Sequence, residues 1–210
     1  MKKLIMNLWI FLGLWLEFYG SKIGAVKHLD FLDMPRFTEI DNMGGTGTKF
    51  YFCLSDDVDT WPTAPDPASA TLDVLQVYPD DFVMKTGKKF FVGYMTPDTG
   101  VLTNSDQGDI DGVSQKHAFK LFHPKMNAKL KGFLRATNNQ GMVFIVPDGN
   151  GVMHVVGSEP FPALRAGDGE SGSGEGTAGR SGGTMTFISY GPGPMMEMFA
   201  AAVIPITEAV

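Results

Sequence analysis

The stretch Val113-Ser-Gln-Lys-His-Ala-Phe-Lys-Leu-Phe-His123 decides the fold class. Its apolar residues, among them Phe119 and Leu121, alternate with polar ones, which is the two-residue period of a strand with one buried face. Residues 49–54 and 184–190 alternate in the same way. These three runs predict a mainly β protein.

Residues 142–146 are apolar throughout, and residues 152–156 are apolar apart from His154. Asn150-Gly151 lies between them and predicts a tight hairpin of type I′, in which both central positions need positive φ. Strands without a polar face are covered on both sides. We therefore expect these two strands to be enclosed either by the domain's own layers or by a neighbouring subunit.

The remaining extended segments are less regular. Residues 71–78 predict a strand or a short helix. Residues 82–84 and 88–95 predict the two strands of a hairpin that turns near Gly87. The polar residues 97–112 predict a loop or an extended hairpin tip.

One helix is predicted, over about residues 124–139. Its apolar residues recur at the spacing of a single helical face; they are Met126, Leu130, Phe133 and Leu134. Pro124 suits the first helical turn, where its missing N–H costs nothing, and Gly141 supplies a stop signal. We therefore expect one helix packed across an otherwise β fold.

Residues 165–183 are rich in glycine and lack large apolar side chains. We expect a long loop that becomes ordered when it contacts a neighbouring subunit. Residues 174–179 match the GxGxxG pattern of dinucleotide sites, and residues 179–183 match the GxSxG pattern of hydrolases. Each pattern needs a strand before it and a helix after it, and neither is predicted here. We interpret both as chance matches.

The composition suits one domain with many turns, since 210 residues include 26 Gly and 13 Pro. The net charge of −6 argues against a protein that binds nucleic acid through its phosphates. Cys53 is the only cysteine, which excludes an intrachain disulfide and a cysteine zinc site. We expect it to be a packed thiol rather than a nucleophile.

No catalytic, cofactor-binding or metal-binding residue is assigned, and we predict that the protein is not an enzyme. The acidic groups Asp56-Asp57-x-Asp59 and Asp109-x-Asp111 lack the spacing of a calcium loop. The histidines have no zinc-binding spacing; they are His28, His117, His123 and His154. A small hydrolase that uses Ser181 is a distant hypothesis, because it requires one of the last three histidines to converge on the glycine-rich loop.

Residues 1–35 form an apolar N-terminal extension, and residues 36–210 form the main domain. Two lysines precede the apolar run 4–16, as in a signal peptide or a membrane anchor. The run is shorter than the roughly 20 residues of a spanning helix, and no small-x-small cleavage site follows it. We prefer a helical arm, or a natural translation start at Met34.

An ordered series of segments carries a family resemblance. The segments are Lys88-Lys-Phe-Phe91, Gly108-Asp-Ile-Asp-Gly-Val-Ser114, Phe119-Lys-Leu-Phe-His-Pro124, Phe133-Leu-Arg-Ala-Thr-Asn138, Val143-Phe-Ile-Val-Pro-Asp148, Val156-Gly-Ser-Glu-Pro-Phe-Pro-Ala163, Gly176-Thr-Ala-Gly179 and Thr184-Met-Thr-Phe-Ile-Ser-Tyr190. Together they cover roughly residues 40–205. They resemble the major tail tube proteins of tailed bacteriophages, in the style of phages of Bacteroides-like hosts.

The resemblance implies a β-sandwich or half-barrel with a flanking helix, assembled as hexameric rings that stack into a hollow tube. DNA passes through that tube without specific binding, and the family carries no catalytic residues or cofactors. The implied partners are further copies of the chain and other tail proteins (tape measure, tail terminator, baseplate or hub), in a virion assembled in the host cytoplasm. We expect a lumen lined mainly by Asp, Glu, Ser, Thr and Gly, because negative charge repels DNA phosphates.

Two other interpretations stay open. One is an exported or membrane-anchored β-rich binding protein of the bacterial envelope, held by the N-terminal apolar run. The other, within the virion class, is a head–tail connector, a decoration protein or a baseplate-hub protein of similar β fold.

Overall fold

The computed structural model describes residues 32–34, 42–67 and 70–207. The apolar run 4–16, and with it the choice among signal, anchor, arm and late start, lies outside the described residues. Within the described ranges, no helix combines the length and the hydropathy that a membrane span requires.

The described part of the chain is mainly β, as predicted, and contains one α-helix. The strands are β1 Lys49–Leu54, β2 Val58–Thr60, β3 Val77–Tyr78, β4 Val83–Met84, β5 Phe91–Tyr94, β6 Val101–Gln107, β7 Ser114–Pro124, β8 Met142–Pro147, β9 Met153–Val156, β10 Leu164–Arg165, β11 Glu170–Gly172, β12 Gly182–Gly191 and β13 Met196–Met198. The helix α1 spans Ala128–Ala136, and a 3-10 turn spans Ser55–Asp57.

The strands form two main sheets. A six-stranded sheet has the order β3-β13-β9-β8-β1-β5, and a five-stranded sheet has the order β10-β12-β7-β6 with β11 also paired to β12. β2 and β4 form a separate two-stranded sheet. The longest ladder joins β7 to β12, with Pro124 opposite Gly182 at one end and Gln115 opposite Gly191 at the other. Two of the alternating runs in the sequence are therefore the central strands of the five-stranded sheet.

The six-stranded sheet is buried on both faces by this chain alone. On one face, Phe144 of β8 packs with Phe187 from the five-stranded sheet. On the other face, Ile145 packs with Phe82 of the segment 55–90, which we call the outer layer. The expectation that these apolar strands are covered on both faces is confirmed. The cover comes from the domain's own layers and not from a neighbour, so bare apolar strands are not an argument for self-assembly.

The helix α1 begins later than predicted. Pro124 is the last residue of β7, and the N-cap is Asn127, whose side-chain oxygen accepts a hydrogen bond from Leu130 N at 2.9 Å. An N-cap asparagine satisfies an amide that the helix itself leaves unpaired, so the first helical residue is Ala128, four residues beyond the proline. Leu130 is buried, and the ring of Phe133 lies 5.2 Å from that of Phe52.

Two predicted hairpins differ from the structure. The strands on either side of Gly87 exist, but β4 pairs with β2 whereas β5 pairs with β1, so they belong to different sheets. The β8–β9 hairpin is present, yet of the predicted type I′ pair only Gly151 has positive φ. Asp148 Oδ1 accepts hydrogen bonds from Asn150 N and Val152 N, each 2.8 Å long, and this side-chain cap shapes a longer turn.

The strand β6 lies where the sequence predicted a loop or a hairpin tip. It is almost entirely polar and exposed, because it is an edge strand of the five-stranded sheet. It pairs with β7 from Val101 opposite Lys120 to Gln107 opposite Ser114. The result is a long hairpin whose turn, residues 108–113, we call the hairpin tip.

The strand β7 crosses the six-stranded sheet from one side to the other. Near its start, His117 Nε2 donates a hydrogen bond of 2.7 Å to Gly193 O, just before β13. Near its end, His123 Nδ1 donates one of 2.9 Å to Tyr94 O of β5. Three strands, β9, β8 and β1, separate β13 from β5. The two sheets therefore cross at a large angle, and the two ends of β7 reach opposite sides of the molecule.

Candidate assembly surfaces

The glycine-rich tract 165–183 is partly ordered by its own chain. β10 and β11 pair with β12, and the Thr186 hydroxyl donates to Asp168 Oδ2 over 3.1 Å. The prediction that the tract becomes ordered only on contact with a neighbour is therefore wrong for its first part. Residues 173–181 remain as an exposed turn between β11 and β12.

The two glycine patterns lie in and beside that turn, between two strands. Neither is followed by a helix, so the strand–turn–helix context that both kinds of site need is not formed. The Ser181 hydroxyl accepts a hydrogen bond from Met126 N at 3.2 Å, and Ser181 O accepts one from Lys125 N at 2.7 Å. Ser181 therefore fixes the chain where it leads into α1.

The described histidines do not gather around Ser181. His117 and His123 donate to the backbone carbonyls named above, and His154 Nε2 lies 3.5 Å from Asp148 Oδ2. No hydrogen bond within the described ranges joins a histidine ring to Ser181. The hydrolase hypothesis thus gains no support from the geometry, and His28 lies outside the described residues.

The acidic groups are placed in turns. Asp57 is buried and forms a salt bridge of 2.9 Å with Lys88, while Lys85 Nζ donates to Asp56 O over 2.6 Å. Asp109 lies in the hairpin tip and is exposed. Across the described ranges, no set of three or more His, Cys, Asp or Glu side chains is arranged to hold a metal ion.

Two open clefts lie on the described surface. The larger, of about 510 Å³, lies between the start of β6 and the β8–β9 turn. Its polar lining residues are Asn42, Thr46, Asn104, Asp148, Asn150 and His154. The smaller, of about 250 Å³, lies beside the end of α1, where Arg165 donates to Leu134 O over 2.6 Å. Asp148 and Arg165 already have partners in their turn and helix end, so we assign no ligand to either cleft.

Cys53 is a packed thiol between the six-stranded sheet and the outer layer. It is buried in the same hydrophobic cluster as Ile145 of the sheet and Phe82 of the outer layer. Burial, with a smaller contribution from the carboxylate of Asp57, raises the pKa of the Cys53 thiol well above its usual range. Since the thiolate is the nucleophilic form, the folded protein presents no reactive thiol at this position.

We expect the raised pKa of Cys53 to lower stability at alkaline pH. The thiol of the unfolded chain ionises near pH ~8.5, whereas the folded chain keeps its proton. The free energy of unfolding therefore falls as the pH rises above that value, by up to about 1.4 kcal/mol per pH unit. Urea unfolding between pH 8 and 10 should show a shallower decline for Cys53→Ala than for the parent protein. Equal slopes would contradict the assignment, as would rapid labelling of the folded thiol by iodoacetamide.

The edge strand β5 exposes apolar side chains at the side of the six-stranded sheet. Phe91, Val92 and Tyr94 are 48%, 53% and 46% exposed. Lys89 Nζ lies 5.8 Å from the centroid of the Phe91 ring, but the strand contains no proline and no charged residue of its own. An open edge with these properties is a template for pairing with another chain. We call it the β5 edge.

The strand β6 lies at the side of the five-stranded sheet, and no other strand among the described residues pairs with its free side. It is therefore a second and different open edge. Its residues are mostly exposed, and Val101 contributes an apolar side chain at its start. Seven residues long, it offers more backbone donors and acceptors than β5. We call it the β6 edge. Two unlike edges on one molecule allow a head-to-tail contact between copies, which closes into a ring or continues as a filament.

The hairpin tip projects beyond the body of the domain. Ile110 is 91% exposed and Val113 is also exposed. Gly108 has a φ of 97° and Asp111 a φ of 68°, so the turn uses the left-handed region at two positions. The end of this long hairpin therefore carries an almost fully exposed isoleucine.

No protein-family model, curated protein or solved structure matches this chain.

The open edges were not found from the sequence, although each carries a signal. Residues 101–107 contain two β-branched side chains among polar ones, which is compatible with a strand exposed on both faces. Phe90 is buried whereas Phe91 is half-exposed, and only the pairing of β5 with β1 decides which of the two faces the core.

Proposed function

We propose that this chain is a structural protein of a virion that assembles through its open sheet edges. Copies of it form hexameric rings that stack into the tail tube of a bacteriophage, and DNA passes through the tube. Further copies, a tape measure protein, a tail terminator and baseplate or hub proteins are its proposed partners. The mainly β fold with one flanking helix is compatible with this proposal.

The observation that carries the proposal is the pair of unlike open edges. The β5 edge and the start of the β6 edge are joined by only six residues, 95–100, so these parts meet at one corner of the molecule. From there the β6 edge runs toward the hairpin tip. Thr96 N donates to Phe122 O over 3.0 Å and Met95 N donates to Thr48 O over 2.9 Å, which anchors this connection to both sheets. A neighbour that adds a strand at this corner gains backbone hydrogen bonds and covers Phe91 and Val92.

The first test is the state of the purified full-length protein at high concentration. Analytical ultracentrifugation should show concentration-dependent assembly, and negative-stain microscopy should show rings or tubes. A protein that stays monomeric in both measurements would overturn the proposal. Recovery of the natural protein from membrane fractions, or with a processed N-terminus, would favour the envelope-anchored alternative.

The second test places a charge on the β5 edge. We expect Val92→Lys to weaken assembly at least about tenfold in critical concentration, which corresponds to about 1.4 kcal/mol, because a lysine on an open edge opposes strand addition. The matched control is Val74→Lys: Val74 is comparably exposed but lies in the outer layer. Circular dichroism and urea unfolding should be unchanged in both variants. Equal assembly of the two variants would show that the β5 edge is not the contact.

A further inference from the structure

The charges of this acidic chain are unevenly distributed. Between residues 112 and 147 there are six Lys or Arg residues and no Asp or Glu. Between residues 90 and 115 there is no Lys or Arg, and four Asp residues occur. The boundary between the two segments falls inside the hairpin, where the tip passes into β7.

The structure places the larger part of each set at opposite ends of β7. The exceptions are Lys116 and Lys120, which lie on β7 itself, and Asp98, which precedes β6. Lys116 lies opposite Ser105 and leaves the tip with an excess of negative charge. Asp106, Asp109 and Asp111 are exposed at or beside the hairpin tip. The cationic residues of the other group lie on α1, on the turn that joins β7 to α1, and on the turn between β11 and β12. They are Lys125, Lys129, Lys131, Arg135 and Arg180, and all are exposed. We call this group the helix end.

The two ends are too far apart to neutralise each other within one molecule. The eleven residues of β7 extend roughly 35 Å at about 3.3 Å per residue, whereas the Debye length in physiological salt is about 8 Å. None of the three tip carboxylates and none of the five helix-end cations forms a salt bridge with another described residue. Two acidic residues lie near the helix end: Glu170 on β11 and Glu175 on the turn after β11. Because the helix end has five cations, its net charge remains positive.

Each end also offers apolar contact area. The tip presents Ile110 among its carboxylates. Beside the helix end, the ring of Phe122 at the end of β7 is partly exposed. The guanidinium of Arg180 lies 5.0 Å from the centroid of the Phe122 ring. An apolar anchor surrounded by complementary charge is the usual build of a specific protein contact.

From this distribution we infer that the acidic hairpin tip of one copy docks on the cationic helix end of a second copy. The contact is heterologous, because it joins two different surfaces, so it propagates along the direction of β7. It differs from the edge contact at the β5–β6 corner and, together with it, extends an assembly in a second direction. The inference deepens the proposed function and rests on it.

The test uses two full-length proteins with reversed charges. One carries Asp109→Lys and Asp111→Lys at the tip, and the other carries Lys129→Glu and Lys131→Glu at the helix end. Each protein alone should need a protein concentration at least about tenfold higher to assemble, since 1.4 kcal/mol is lost for every tenfold. The equimolar mixture should assemble like the parent protein. In the mixture, the cationic tip of the first protein meets the acidic helix end of the second, and the acidic tip of the second meets the cationic helix end of the first. Assembly of the parent should weaken between 50 mM and 500 mM NaCl.

The control carries Asp59→Lys and Asp80→Lys, two exposed charges of the outer layer, and should assemble like the parent. If the parent forms rings or tubes and either reversed protein does so equally well, the inference is wrong and the proposed function stands. If the mixture forms linear chains without rings, the inference holds and the proposed function is wrong. A parent that stays monomeric at every concentration overturns both.

A polyanion is the competing occupant of the helix end. A labelled 30-base-pair DNA duplex, titrated at 50 mM NaCl, tests this. If the Lys129→Glu and Lys131→Glu protein loses DNA binding while it still assembles like the parent, the helix end is a DNA contact and the inference is overturned. If the parent protein binds the duplex no better than this variant does, the result supports the protein–protein contact.

Discussion

Phe144→Ala should destabilise the protein by about 3–5 kcal/mol, the usual loss when a large aromatic side chain is removed from a packed core. Phe144 is completely buried in β8. Its ring centroid lies 4.4 Å from that of Phe187 and 5.5 Å from that of Phe119. Both partners belong to the other sheet, so this side chain joins the two sheets. Urea unfolding followed by intrinsic fluorescence measures the loss.

The matched control for Phe144 is Phe161→Ala, because Phe161 is half-exposed. Its removal should change the free energy of unfolding by about 0.5 kcal/mol or less. Where Phe144→Ala is too unstable to purify, Phe144→Leu should give a smaller loss of about 1–2 kcal/mol. Similar losses at positions 144 and 161 would mean that the two sheets are not held together by this cluster.

Gly93→Val should destabilise the protein by about 3 kcal/mol, at the upper end of the range for an overfilled site. Gly93 of β5 lies opposite Phe50 of β1, and the aromatic ring of Phe50 covers it. A β-carbon at this position would overlap three atoms of that ring. Phe50 is buried in the main core, so its ring cannot move away without displacing its own neighbours.

The test for Gly93 includes a rescue and a control. Adding Phe50→Leu to Gly93→Val should recover part of the loss, because a smaller partner makes room, and the two effects are then not additive. Gly132→Ala in α1 is the control, since open space surrounds Gly132. It should stabilise the protein by about 1 kcal/mol through helix propensity. A Gly93→Val protein as stable as the parent would show that β5 does not pack on Phe50.

The sequence predicted those strands whose side chains record their burial. β7 and β12 alternate because one face of each meets the core, and β8 is apolar throughout because both of its faces are covered. The apolar sequence of β8 predicts that both of its faces are buried. It does not predict which part of the molecule buries them. Whether a layer comes from the same chain depends on where residues 55–90 return in space, which no local pattern records.

The errors fall where local signals compete or where pairing is decided by distant residues. Pro124 and Asn127 are both valid helix-start signals, and the hydrogen bond from Leu130 N to the side chain of Asn127 decides between them. β6 has almost no hydrophobic period because most of its side chains meet water and only Leu102 packs against the core. β4 and β5 are neighbours in sequence but join different sheets.

The assembly surfaces were the least predictable part. An edge is defined by the absence of a neighbouring strand, so it follows from the sheet order and not from the residues of the edge strand alone. The charge separation was readable in principle, since residues 112–147 contain no acidic side chain. The sequence does not show how far apart the two groups of charges lie, because that distance depends on the course of β7 across the molecule.

The course of β7 also determines how the domain would bear a mechanical load. In a filament pulled along its length, tension entering at the hairpin tip and leaving at α1 would run parallel to β7. Ten residue pairs join β7 to β12, from Gln115 with Gly191 to Pro124 with Gly182. The hairpin tip and α1 flank the two ends of β7 directly, so the covalent backbone of this one strand carries such a force. The hydrogen bonds to β12, which lie perpendicular to the strands, hold β7 in place without having to transmit the load.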